Sequence, residues 1–257
     1  MSTIDPHPRE TMIRIERICK RYGTQLALDN VDLTIGAGET FGLLGPNGAG
    51  KSTLIGLLAT LKRPDSGRIS IGGHDVLRER DRVRQQIGLV FQENNLDREL
   101  TARQNLDFQA RLHRLDNPSA AVAAMLRRLE LETHADRPAE EFSGGMRRRL
   151  IIGRALLSAP RVLLLDEPTT GLDPAIRHAL WSLIHEASES GCTIILTTHY
   201  VEEAETLCDR VALMQRGRIV DCDTPVSLCK RYGKQKLEDV LLALNAGDAG
   251  KLEELAK

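Results

Sequence analysis

The sequence predicts an α/β fold organised around a parallel sheet, and three features carry that expectation. Short continuous apolar runs at Phe41-Gly42-Leu43-Leu44, 87–91, 162–165 and 193–196 read as strands covered on both faces. The first of them enters a glycine-rich loop, then a helical pattern of Leu54, Ile55, Leu57, Leu58 and Leu61 that Arg63-Pro64 should stop. Ahead of it, Ile13, Ile15 and Ile18, then Val31, Leu33 and Ile35, alternate as half-exposed antiparallel strands do, with a turn at Gly36-Ala37-Gly38.

No comparable strand run falls between Phe91 and Pro160, where 106–115 and 120–131 read as helices with charged faces. This predicts a helical insertion in the core. The polar, Ala/Leu-rich end of the chain predicts a small helix over 237–244. The expected organisation is one domain over 1–257. It comprises a β subdomain with the glycine-rich loop (12–91), the helical insertion (92–160), the second half of the core (161–220) and a short tail (221–257).

Bulk properties narrow the function. A chain of 257 residues, 41% hydrophobic, can bury a sizeable core. Lys plus Arg number 35 against 36 Asp plus Glu, so a net charge of −1 offers no general attraction to nucleic acid or anionic lipid, and no nucleic-acid partner is expected. Cys19, Cys192, Cys208, Cys222 and Cys229 are scattered without a C-x-x-C pair, which suits reduced thiols in a cytoplasmic protein. The apolar run 162–165 is cut short by Asp166 and Glu167, and the first ten residues hold no apolar stretch, so neither a membrane span nor a secretory signal is expected.

The loop Gly45-Pro46-Asn47-Gly48-Ala49-Gly50-Lys51-Ser52, followed by Thr53, matches G-x-x-x-x-G-K-[ST] between a buried strand and a helix. Glycines let successive backbone N–H groups curl inward, and the helix start adds partial positive charge, so the loop suits the phosphates of a nucleotide. A turn that merely caps a helix would explain the glycines but not Lys51-Ser52-Thr53. Lys51 should bridge the outer phosphates, and Ser52 should ligate Mg²⁺ through its hydroxyl. The strand 162–165 then delivers two carboxylates at its C-terminal end, where open parallel sheets collect ligands. Asp166 is placed to hold the Mg²⁺ shell and Glu167 to take a proton from an attacking water.

Phe142-Ser143-Gly144-Gly145-Met146, ahead of a helix running to Ala159-Pro160, resembles the LSGGQ signature of the ATP-binding-cassette (ABC) ATPases, departing from it at Phe142 and Met146. Ser143 can cap the helix, and Gly144 and Gly145 let a phosphate approach its amides. The resemblance covers nearly the whole chain and implies a P-loop NTPase with a RecA-like parallel core. It places Tyr22 against adenine, Gln92 between the metal site and the helical insertion, Gly171-Leu172-Asp173 at a dimer interface, and His199 at the terminal phosphate. It also implies ATP and Mg²⁺ as ligands and a head-to-tail dimer, with itself or a homologous cassette, in which each ATP lies between the phosphate loop of one chain and Ser143 of the other. Motion then passes through the helical insertion to integral-membrane permease subunits, with the chain peripheral on the cytoplasmic face.

Glu93-Asn94-Asn95-Leu96-Asp97, the FSGGM form followed by arginines, and Leu237-Glu238-Asp239-Val240-Leu241 resemble the export-type cassettes of the drug-resistance, nodulation-factor and polysaccharide exporters. The alternative class is a soluble ABC ATPase acting on ribosomes or DNA, which usually has two cassettes or a long coiled-coil insertion. Arg147-Arg148-Arg149 sits in the first turns of the signature helix, where cations oppose the helix dipole. A solvated face, balanced by Glu140 and Glu141, is the expected outcome, the alternative being a docking surface for membrane subunits or lipid headgroups. His178 and His185 share a predicted helix, but their spacing lacks a third ligand and predicts structural roles.

Overall fold

The computed structural model describes residues 10–91 and 96–245. Gln92, the 93–95 segment and the end of the tail lie outside them. The chain opens with β1 (Thr11–Tyr22) and β2 (Gln25–Gly36), an antiparallel pair, then passes through β3 (Thr40–Leu44) into α1 (Lys51–Leu58). β4 (Ser66–Ile71), β5 (His74–Asp75), α2 (Arg80–Gln86) and β6 (Ile87–Val90) follow, and then the helical stretch α3 (Ala102–Leu112), α4 (Pro118–Arg128) and α5 (Gly144–Leu156). The chain returns to the core through β7 (Val162–Asp166), α6 (Pro174–Glu189), β8 (Thr193–Thr198) and α7 (Val201–Leu207). β9 (Arg210–Gln215), β10 (Arg218–Asp223), α8 (Pro225–Arg231) and α9 (Leu237–Asn245) complete it.

The strands form two sheets. One is antiparallel, ordered β2-β1-β4-β5, and the other is ordered β10-β9-β3-β8-β7-β6. In the second, the pairs from β9 to β6 are parallel and β10 closes one edge antiparallel to β9. Successive residues of its strands feed two cores. Leu163, Leu165, Ile194 and Leu196 pack with the apolar faces of α3 to α6, whereas Leu164, Ile195 and Ala212 pack with α1 and the antiparallel sheet. A strand buried on both faces has no polar alternation to show, which is why these segments read as unbroken apolar runs. Leu164 is fully buried in the second of these cores. Leu164→Ala is expected to cost about 2–5 kcal/mol by removing transfer energy and leaving a cavity. The check is a lowered urea midpoint at unchanged slope.

The first helix differs from its sequence expectation. α1 ends at Leu58 rather than near Arg63-Pro64, and Leu61, assigned to its buried face, is 54% exposed. Thr60 adopts φ 60°, and the N–H groups of Leu61 and Lys62 both close on the carbonyl of Gly56 at 3.0 Å. The left-handed turn satisfies the helix-terminal carbonyl and throws the chain outward. α3 and α4 also finish earlier than expected, with Arg114 and Glu130 at φ 53° and 55° just beyond them. Their starts follow side-chain caps. Thr101 and Gln104 form a reciprocal capping box, and Asn117 caps α4 with Pro118 in its first turn.

Candidate active site

The phosphate loop leaves β3 at the C-terminal edge of the parallel strands, and its shape demands glycine at two points. A Cβ on Gly45 would come within 2.2 Å of the Met214 carbonyl oxygen. Gly50, at φ 107°, would place one 2.6 Å from the Ala27 carbonyl oxygen. The loop is tied from behind, Gly217 N–H donating to the Ala49 carbonyl at 3.0 Å and Asp29 N–H to the Gly217 carbonyl at 2.9 Å. Gly50 is the N-cap of α1 and supplies no side chain, so the first-turn amides are left to an anion. Tyr22, Asn47, Gly48, Gly50, Lys51, Ser52, Thr53 and Glu167 line one cleft of about 390 Å³, with Gln25 and Ala27. Of the remaining loop residues, Pro46 is exposed and Gly45 and Ala49 are buried beneath the cleft.

Lys51 is only 5% exposed, and its ammonium donates to the carbonyls of Gly45 at 2.7 Å and Pro46 at 3.1 Å. Burial holds its pKa below the ordinary lysine value, opposed by the nearby Glu167 and Asp166 carboxylates. Asp166 ends β7 and accepts from the Ser52 hydroxyl at 3.0 Å and the Thr197 hydroxyl at 2.6 Å. A serine hydroxyl and one carboxylate, hard oxygen donors side by side, leave most of a coordination shell to water and phosphate. That donor set fits Mg²⁺.

Glu167 is 9% exposed and sits at φ 49°, a left-handed conformation that non-glycine residues rarely adopt. Its N–H is shared between the carbonyl of Thr197 at 3.1 Å and the hydroxyl of the same residue at 3.0 Å. Thr197 thereby orients both acids. The Thr170 hydroxyl donates to Glu167 Oε2 at 3.1 Å, and His199 Nδ1 lies 3.5 Å from the same oxygen. The pair offers a proton acceptor and an imidazole at one spot.

Ser143 caps α5, its hydroxyl accepting from Met146 N–H at 3.2 Å. Ser143 and Gly145 line a different cleft, with Met146, Arg149, Ala175, Ile176 and Ala179. Gly145 must be small because a Cβ would fall 2.5 Å from Ile176 Cδ1, whereas Gly144 has only Leu172 at 4.0 Å. Asp173 caps α6 through Ile176 N–H at 3.1 Å. The phosphate-loop residues, Asp166, Glu167 and His199 thus converge in one place, while Ser143 and Gly145 occupy another.

The residues between 28 and 170, from β2 through the phosphate loop and Ser143 to the two acids, match the family model described as "ABC transporter". The chain belongs to the ABC transporter family. It is an ATP-binding, ATP-hydrolysing subunit of that family. This ABC ATPase is 44% identical over 234 residues to a daunorubicin resistance ATP-binding protein of Streptomyces coeruleorubidus, covering 90% of this chain and 74% of the relative. It is 43% identical over 218 residues to the Nod factor export ATP-binding protein I of Burkholderia orbicola (strain AU 1054), covering 84% and 72%. It is also similar, at a TM-score of 0.75 and 28% identity, to the dimeric structure of an ATP-binding cassette in a post-hydrolysis state bound to ADP and Pi, covering 83% of this chain and 98% of that one. Nothing in these likenesses supports the ribosome- or DNA-directed alternative.

One group in this ABC ATPase was not singled out from sequence: Thr197, a strand hydroxyl bridging both acids. The arginine run was, but it departs from the expected solvated face. Arg149 pairs with Glu130 at 2.9 Å, and Arg147 donates at 3.3 Å to the Glu140 carbonyl rather than its carboxylate. Glu141 is taken by Arg137 at 3.0 Å. Arg148 is buried, because α5 turns its 145, 148 and 152 positions inward. The spacing of Gly145, Arg148 and Ile152 on one helical face was the available signal. His178 packs edge-on against Trp181, with ring centroids 4.8 Å apart, and His185 lies 3.4 Å from Glu189.

Proposed function

We propose that this ABC ATPase drives export through separate integral-membrane permease subunits, by closing head-to-tail with a second copy or a homologous cassette around ATP. The observation that carries the reading is the division of the site. The phosphate loop and Glu167 line one cleft, with Asp166 behind it on the Ser52 hydroxyl, and Ser143 with Gly145 lines another. An ATP seated on the loop takes its second set of amides from the Ser143 turn of a partner, which makes nucleotide part of a closed two-fold interface.

In this reading the loop amides from Gly45 to Gly50 and Lys51 hold the phosphates, Ser52 and Asp166 hold Mg²⁺, and Gln92 joins that shell from the helical insertion. Mg²⁺, when bound, neutralises charge on the outer phosphate oxygens. Tyr22, 45% exposed at the cleft edge with the Lys20 and Lys62 ammoniums 5.4 Å from its ring centre, receives the adenine. Glu167 accepts the proton of the attacking water, His199 contacts the terminal phosphate, and Gly171-Leu172-Asp173 faces the partner. Thr53 completes the loop's contacts with phosphate.

Among the described residues no helix is long and apolar enough to cross a membrane. In this reading the pore belongs to other chains, and this one sits peripherally on the cytoplasmic face. Phe108 and Leu112, each 65% exposed and one turn apart on α3, offer the apolar footing for a permease helix. Outward transport is supported by the relatives named for Nod factor export and drug resistance. The test is purification of the tagged full chain from detergent-solubilised membranes. Co-elution with an integral-membrane protein, and ATP-dependent efflux by vesicles holding the pair, is the expected result. Association with ribosomes or DNA instead would overturn it.

A further inference from the structure

Arg148 follows the Ser143 turn along α5 but points into the protein, where it is 6% exposed. Its guanidinium donates three hydrogen bonds, all to main-chain carbonyls: Nε to Pro168 at 2.5 Å, Nη2 to Glu167 at 3.0 Å and Nη1 to Phe91 at 2.8 Å. Loss of water pulls its pKa down to about 10, with the Glu203 and Asp166 carboxylates acting in the opposite sense. Simple packing of α5 would be served better by an apolar side chain, since a buried charge is weak evidence for stability. What only arginine offers is a planar fork that fixes several acceptors at once.

The three acceptors are informative. Phe91 directly follows β6, and Glu167 and Pro168 directly follow β7, so one side chain of α5 joins the ends of two neighbouring strands. Glu167 is also the residue in left-handed conformation, a geometry that persists only where the surroundings over-determine it. Thr197 holds its N–H and Arg148 holds its C=O. Beyond it, the Thr169 hydroxyl donates to the fully buried Glu203 at 3.0 Å, so the backbone leaving Glu167 is gripped from the α7 side as well.

We propose that Arg148 is a positioning residue for ATP hydrolysis, locking the Glu167 backbone to the helix that carries Ser143 and so aiming the Glu167 carboxylate. The proposal rests on the reading of Glu167 as proton acceptor. It makes the signature helix and the acid a single mechanical piece within one chain, so that a shift of α5 on nucleotide seating at Ser143 reaches Glu167 through one side chain.

A double-mutant cycle on the full chain tests it, using Arg148→Gln, Arg148→Lys, Glu167→Gln and the Gln/Gln double variant. Steady-state kcat and KM, single-turnover hydrolysis of radiolabelled ATP, circular dichroism and the thermal midpoint are the readouts. Arg148→Gln is expected to lower kcat about 10- to 100-fold while KM moves less than about 3-fold, the mark of an interaction that matters in the transition state. Arg148→Lys keeps the charge and three donors without the fork, and should restore the midpoint more fully than kcat. In the Glu167→Gln background, loss of Arg148 should cost less than about 3-fold further, because the group it aims is already disabled.

An unchanged kcat in Arg148→Gln would overturn the proposal. So would an undiminished penalty in the Glu167→Gln background, or loss of fold in both Arg148 variants, which would assign the residue to the core alone. Wild-type turnover in Glu167→Gln by itself would instead remove the proton-acceptor reading, independently of the Arg148 variants.

Discussion

Glu167→Gln should lower ATP turnover by about 10²–10⁴-fold, the range for general-base assistance, while ATP binding is retained and the ATP-loaded dimer accumulates. The amide keeps the size of the carboxylate and can still accept from the Thr170 hydroxyl, which lies 3.1 Å from Oε2. Its backbone anchors, the Thr197 carbonyl and hydroxyl, do not involve the side chain at all. On the proposed role of Glu167, the substitution therefore removes the proton acceptor and little else. Phosphate release measures the first effect and gel filtration with and without ATP the second. Unchanged turnover would take Glu167 out of the role and leave His199, 3.5 Å away, as the group to examine.

Ser143→Arg should abolish dimer-dependent hydrolysis while leaving nucleotide binding by the monomer intact. Ser143 lines a cleft apart from the phosphate loop, so a bulky cation there leaves the Lys51 site of its own chain untouched. The substitution also removes the hydroxyl that caps Met146 N–H, a loss of about 1 kcal/mol. A small fall in thermal midpoint is therefore expected alongside the loss of assembly. A fluorescent ATP analogue reports binding, and light scattering with ATP reports association. Normal dimerisation and turnover in this variant would mean that the Ser143 turn does not face a partner's nucleotide.

Much of the architecture was legible because it depends on burial that leaves a mark in composition. Val162 to Asp166 is buried at every position, and so is Thr193 to Thr198, hence runs with no alternation. The phosphate loop was readable because G-x-x-x-x-G-K-[ST] specifies its own backbone, as Gly45 against Met214 illustrates. The end of α1 was not readable, since it turns on Thr60 in a left-handed conformation that a β-branched residue seldom takes. β9 and β10 were not singled out either, although Val211 to Met214 is as apolar as the other core strands. Arg148 escaped because three adjacent arginines look alike in sequence, and only the face of α5 distinguishes them. Thr197 escaped because a buried hydroxyl announces nothing until its neighbours are known. Gln92 lies outside the described residues, so its place in the site stays an expectation from resemblance.

The shared hydroxyl of Thr197 limits how this motor can be retuned. Its one proton goes to Asp166 and its lone pair to the amide of Glu167, so the two acids have a common hinge pin rather than separate adjustments. On the proposed roles of Asp166 and Glu167, an engineer who alters that threonine changes metal retention and proton acceptance together. Slowing the chemistry without loosening the metal therefore has to be attempted from the opposite, carbonyl side of the Glu167 peptide.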